Sequence, residues 1–287
     1  MEASVAYAHP DVLVSTDWVV GHRADPAVRL IEVDVDTTAY DSGHIAGAVG
    51  WNWQSQLNDP VRRDIPDKKA FAKLLSEAGV TPKTTVVLYG DNNNWFAAFA
   101  FWLLQLYGHT AVKLMNGGRA KWVAEGRPLV TDRASVRATS YPVPKKVNAA
   151  IRAKRPDVEK ALKGKQTALV DVRSSPEFVG DIVAPPGMTE TAQRAGHIPG
   201  AKNVPWSKAV ATDGTFKPYD ELVQLYKGAK VVDGKNEVIA YCRIGERSSH
   251  TWFALKYLLG VKKVRNYDGS WTEWGNLVGA PIAKGAE

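Results

Sequence analysis

Short apolar runs rich in β-branched residues alternate with longer segments of helical spacing along this chain. Val28–Val33 reads as a strand. Asp67–Ala78 carries Phe71, Leu74 and Leu75 at helical spacing and is stopped by Gly79. Thr84–Tyr89 is a second strand, followed by the polar loop Gly90-Asp91-Asn92-Asn93-Asn94 and an apolar helix, Trp95–Tyr107, ending at Gly108. Val112–Met115 is another strand, and Asn116-Gly117-Gly118 leads into a helix carrying Trp122. Strands separated by helices of this length predict βαβ units and a mostly parallel sheet.

The second half repeats the plan. Gly196-His197-Ile198-Pro199-Gly200-Ala201 answers Gly43-His44-Ile45-Ala46-Gly47-Ala48. Tyr241-Cys242 answers Tyr89-Gly90 at an offset of 242 − 90 = 152, and Gly260, Gly269 and Trp274 answer Gly108, Gly117 and Trp122 at the same offset. Upstream the offset differs, because Val179–Arg194 inserts a loop containing Pro185-Pro186-Gly187. The expected fold class is therefore α/β: two tandem domains, each a mostly parallel sheet flanked by helices. The expected boundaries are 1–135, a linker at 136–150 and 151–287, with the join in the polar run Asp132–Asn148.

Composition narrows the partners. Of 287 residues 45% are hydrophobic and 23% charged, enough for ample cores. The net charge of 37 − 30 = +7 suits a small anionic substrate, and no nucleic-acid motif accompanies it. No apolar run is long enough to span a bilayer, and Met1–Tyr7 shows no leader pattern, so a cytoplasmic location is expected. A single cysteine rules out an intramolecular disulfide and a Cys-cluster zinc site.

That cysteine is Cys242, between the apolar run Glu237–Tyr241 and a helical segment, His250–Gly260, with serines at its start. A free thiol is only roughly 3% thiolate at pH 7. The helix N-terminus and the formal charges of Arg243 and Arg247 are expected to lower its pKa. In the first half Gly90 stands at the cysteine position, with Asp91 and Trp95 at the two arginine positions. That loop lacks both nucleophile and positive charge, and its expected role is to support and wall the site.

These residues resemble the rhodanese family in its tandem form, over nearly the whole chain. Gly196–Ala201 resembles its N-terminal signature and Tyr267-Asp268-Gly269-Ser270-Trp271-Thr272-Glu273-Trp274 its C-terminal one. Cys242-Arg243-Ile244-Gly245-Glu246-Arg247 resembles its six-residue active-site loop. The resemblance implies sulfur transfer through a Cys242 persulfide, from a small anionic donor to an external thiol or cyanide, with no metal or organic cofactor, no nucleic acid and no membrane. Cys-Arg at the loop start resembles the thiosulfate users; 3-mercaptopyruvate users usually have Cys-Gly there. The best-known thiosulfate pattern has Lys at Ile244, Val-Thr at Glu246-Arg247 and an arginine at Glu177, so Arg247 is expected to stand in for the missing lysine.

The resemblance implies donor contacts from Arg243, Ile244, Gly245, Glu246, Arg247 and Ser248, with Arg173 close by, and a pocket wall from Trp95, Phe96 and Trp206. Core packing is the competing reading of the three aromatics. Asp268 and Trp271 are expected to close the domain. His44 and His197 are expected to be hydrogen-bonded structural histidines, His250 to lie on a helix surface, and Glu246 to point outward or pair with an arginine. Two alternatives stay open: a persulfide carrier or binding module without turnover, and a cysteine phosphatase. Phosphatases place five residues between Cys and Arg, whereas four separate Cys242 from Arg247.

Overall fold

The computed structural model describes residues 6–188, 190–232 and 237–286. Met1–Val5, part of the stretch behind the leader expectation, and Thr189 of the insert lie outside the described residues. By packing, the chain divides into two units. One is Pro10–Asn148 with Thr212–Thr215; the other is Met1–His9 with Ala149–Ala211 and Phe216–Glu287.

In the first unit β1 (Leu13–Val14), β2 (Val28–Asp34), β3 (Val49–Asn52), β4 (Thr85–Tyr89) and β5 (Val112–Met115) form one sheet in the order β1-β5-β4-β2-β3. Every pairing is parallel. A parallel sheet covered on both faces needs continuous apolar strands. Central β4 meets that need, with Val86, Val87, Leu88 and Tyr89 all buried. The helix Lys68–Glu77 begins where the Asp67 carboxylate accepts the Lys69 and Ala70 N–H groups. The run Asp132–Asn148 holds no helix or strand. It is laid along this unit by bonds from Thr139 N–H to the Ser76 carbonyl and from Asn148 N–H to the Leu106 carbonyl.

The second unit repeats the architecture. β6 (Arg152–Ala153), β7 (Thr167–Asp171), β8 (Lys202–Asn203), β9 (Glu237–Tyr241) and β10 (Val264–Tyr267) pair in the order β6-β10-β9-β7-β8, again all parallel. β9 is central, and the register Asp171↔Tyr241 brings the ends of β7 and β9 level. In parallel α/β sheets the loops after the carboxyl ends of the strands form the ligand crevice. The lone cysteine directly follows β9. Among the described residues no helix is long and apolar enough to cross a membrane, and no group of three or more His, Cys, Asp or Glu is arranged to hold a metal.

Candidate active site

The loop after β9 is tight because Gly245 adopts φ +99°, a left-handed conformation that glycine takes without strain. The turn directs the Gly245 N–H at the Cys242 sulfur, 3.2 Å away. The loop is tied from behind by Trp271 N–H to the Cys242 carbonyl and Thr272 N–H to the Arg243 carbonyl, both 3.0 Å, and by Cys242 N–H to Ser270 Oγ, 3.0 Å. The C-terminal signature thus positions the loop.

The helix that follows starts earlier than its sequence suggests. It runs Glu246–Phe253 with Gly245 at its N-cap, not from a serine. The Ser249 hydroxyl donates to the Gly245 carbonyl at 2.7 Å, so it braces the first turn and is not available as a cap. All eight helical residues are buried, polar ones included. His250 is therefore not a surface residue. It stacks on Phe216 at 4.3 Å, meets Trp206 edge-on at 5.9 Å, and its Nδ1 has no partner.

Asn266 and Glu177 organise this polar interior, and neither belonged to the expected site. Asn266 of β10 accepts the Ser248 hydroxyl at 2.6 Å and donates to Ser249 Oγ at 2.8 Å. Its one sequence signal is an amide inside an otherwise strand-like run. Glu177 accepts two bonds from Arg247, at 2.9 and 3.1 Å, with both side chains buried. Burial opposes the Glu177 charge, but the Arg247 bonds win and hold its carboxyl below the usual range.

Glu246 points inward. Its Oε2 accepts the Cys242 S–H at 3.1 Å and the Ile244 N–H at 3.2 Å. Its Oε1 lies 3.6 Å from Arg243 Nη2 and 3.5 Å from Arg247 Nε. Ser248 and Ser270 also approach the sulfur, at 3.6 and 4.0 Å. Each hydroxyl has one proton, however, and spends it on a nearer oxygen: Asn266 Oδ1 at 2.6 Å and the Tyr267 carbonyl at 2.7 Å. The Gly245 N–H is thus the best-placed donor to sulfur.

This arrangement overturns the expected lowering of the thiol pKa. Burial and then the Glu246 charge push the Cys242 thiol up, and Arg247 only partly opposes them. Arg247 is neutralised by Glu177, and Arg243 turns Nη1 to the Glu190 carbonyl at 2.6 Å. Arg173, fully buried, is held by Asp171 and the Gly196 carbonyl and lies 4.5 Å over the Trp271 ring, its Nη1 without a partner. Trp95 and Phe96 belong to the other unit, where Phe96 packs on Trp53 at 5.2 Å. His44 and His197 are hydrogen-bonded in their turns, to the Tyr40 and Phe178 carbonyls at 2.9 and 2.8 Å. Asp268 holds Arg152 through two 2.8 Å bonds.

Two all-parallel five-stranded sheets, with a cysteine-bearing loop after the central strand of only one, define a duplicated α/β protein with a single cysteine. The sequence matches the rhodanese-like domain over residues 15–125 and again over 155–277, and the chain belongs to that family. It is 56% identical to "Sulfur carrier protein TtuD" of Thermus thermophilus over 99% of this chain and all of that one. It is also 56% identical to a "Putative thiosulfate sulfurtransferase" of Mycolicibacterium smegmatis, over 97% of this chain and all of that one. Among solved structures, the anaerobic ergothioneine biosynthesis enzyme of Chlorobium limicola with trimethyl histidine superimposes with a TM-score of 0.83 at 25% identity, covering 96% of this chain and 71% of that one. A variant of EanB carrying a cysteine persulfide gives 0.84 at 25% identity, covering 98% and 72%.

Proposed function

We propose that this protein is a sulfurtransferase that moves the outer sulfur of thiosulfate to cyanide or a thiol acceptor through a persulfide on Cys242. The observation that carries the reading is the position of Cys242: the chain's one cysteine, at the end of the central strand, with its sulfur against the Gly245 N–H. The Cys242 thiolate attacks the outer sulfur, the S–S bond breaks, and sulfite leaves with the electron pair. The acceptor then attacks the outer persulfide sulfur and releases Cys242. Loop N–H groups and Arg243 hold the anions, with Ile244, Gly245, Glu246 and Ser248 shaping the contact. Arg247 and Arg173 lie beneath the loop, paired with Glu177 and Asp171, and act by fixing its position.

The related names support sulfur handling by this chain, and the persulfide in the EanB variant supports the intermediate. The carrier name of the Thermus relative favours a second reading, in which the loaded protein passes its sulfur to another protein. Both readings require the same loaded species. Incubation with thiosulfate should raise the intact mass by one sulfur, map it to Cys242 and lose it on adding cyanide, and Cys242→Ser should abolish all three. Loading from 3-mercaptopyruvate but not thiosulfate would replace the donor. Turnover by a folded Cys242→Ser protein would overturn the persulfide.

A further inference from the structure

Sulfur transfer at Cys242 leaves a proton to be placed, because the thiol must lose it before attack. The group in contact with that proton is Glu246, whose Oε2 lies 3.1 Å from the sulfur, both residues being at most 1% exposed. The two neighbouring hydroxyls are turned to other oxygens. We propose that Cys242 and Glu246 are a one-proton pair and that Glu246 is a catalytic residue, the base that takes the thiol proton during loading and returns it on discharge. The proposal rests on the sulfur-transfer reading and adds the proton's route to it.

Charge balance around the loop supports it. The charged groups facing the pair are Arg243 and Arg247 from the loop, Glu177 from the helix Ser175–Val179, and Asp268, whose backbone packs against Gly245. Arg247 is matched by Glu177, and Asp268 by Arg152. His250, one turn further along the helix, is held neutral by burial. The remainder is Arg243, positive, against Glu246, negative, with a neutral thiol.

During loading the S–H proton passes to Glu246 Oε2. The sulfur lone pair forms the new S–S bond, and the old S–S bond breaks with its electrons on sulfite. The pair is then a persulfide anion beside a neutral carboxylic acid, and the site's total charge is unchanged. Release of the proton to water would instead leave two anions in contact, which burial disfavours. On discharge the acceptor takes the outer sulfur, Cys242 leaves as thiolate, and Glu246 returns the proton. In the loaded state Glu246 is the neutral member of the pair, so the persulfide anion does not face a second negative charge, while in the free state Arg243 stands against the Glu246 carboxylate.

Single-turnover loading, read by intact mass, tests this on the full chain. An internal proton transfer does not depend on pH while the carboxylate is ionised and the thiol protonated. Wild-type loading from thiosulfate should therefore change little between about pH 6 and pH 8. Glu246→Gln must release the proton to water, and its rate should rise about tenfold per pH unit up to its own thiol pKa. The infrared difference spectrum of loaded minus free wild-type protein should show the C=O stretch of a protonated carboxyl, missing in Glu246→Gln and Cys242→Ser. That measurement on wild type stands even where the Gln variant fails to fold.

A wild-type rate that climbs tenfold per unit, or a loaded protein without the carboxyl band, would overturn the proton route while leaving sulfur transfer intact. Inorganic polysulfide, which needs no sulfite leaving group, serves as a second donor. Loading from polysulfide alone removes thiosulfate as the donor, and the band still decides the pair. A Cys242 that takes sulfur from neither donor overturns both.

Discussion

Replacing His250 with Phe isolates the consequence of burying an imidazole against the active-site helix. The ring is 1% exposed and stacked on Phe216, and burial pulls its pKa from 6.5 to about 3. In the unfolded chain it takes a proton below about pH 6.5; in the folded one it stays neutral until about pH 3. The unfolded state therefore binds more protons between those limits, and stability falls as the pH is lowered through them. The slope from this residue approaches ~1.4 kcal/mol per pH unit, and the full shift corresponds to ~5 kcal/mol.

His250→Phe keeps a ring in the stack and removes the titration. Any packing penalty is independent of pH, and the other acid-titrating groups cancel in the comparison with wild type. The assay is urea unfolding of both proteins from pH 7 to pH 4, with amide exchange in Glu246–Phe253 as a readout specific to this unit. The variant's stability relative to wild type should rise on acidification by about 3 kcal/mol between pH 6.5 and pH 4. A difference that stays constant over that range would refute the buried neutral histidine.

Gly245→Ala should destabilise by about 1–3 kcal/mol and slow loading, since an added Cβ would lie 2.9 Å from Asp268 Cα at φ +99°. Wild-type stability in urea would show that the loop does not require this close approach. Glu177→Gln leaves Arg247 buried without its full anionic partner and should cost about 3 kcal/mol or more, and Arg247→Met on top should recover much of it. Additive losses from the two changes would refute the pairing.

The strands were legible because a two-sided parallel sheet writes itself as short, mostly apolar runs. Val112–Met115 and Glu237–Tyr241 have the expected bounds. The helix after Cys242 was misread at its start, and the cause is local. Glu246-Arg247-Ser248-Ser249-His250-Thr251 looks like a solvent face because six polar residues run together. They are buried because their partners come from residues 17 to 70 positions away: Asn266 bonds Ser248 and Ser249, and Glu177 bonds Arg247. Sequence spacing along one helix cannot display such partners.

Charge was the deeper misreading. Counting Arg173, Arg243 and Arg247 gives the site three positive charges, but Asp171 and Glu177 neutralise two of them and Glu246 faces the third. The duplicated half shows how much of this is scaffold. Asn93, at the Gly245 position, is also left-handed, with φ 52°. Asn94, at the Glu246 position, turns its Oδ1 to the Gly90 N–H at 3.0 Å. Both halves thus place an acceptor from this position back onto the residue that follows the central strand. In the first half it meets a backbone N–H, and only structure results. In the second it meets a thiol, and the same inward turn becomes a site for a proton. Glu246→Gln keeps an oxygen that can accept the Ile244 N–H and removes the site for the proton, so it tests the chemistry with the loop's own bond retained.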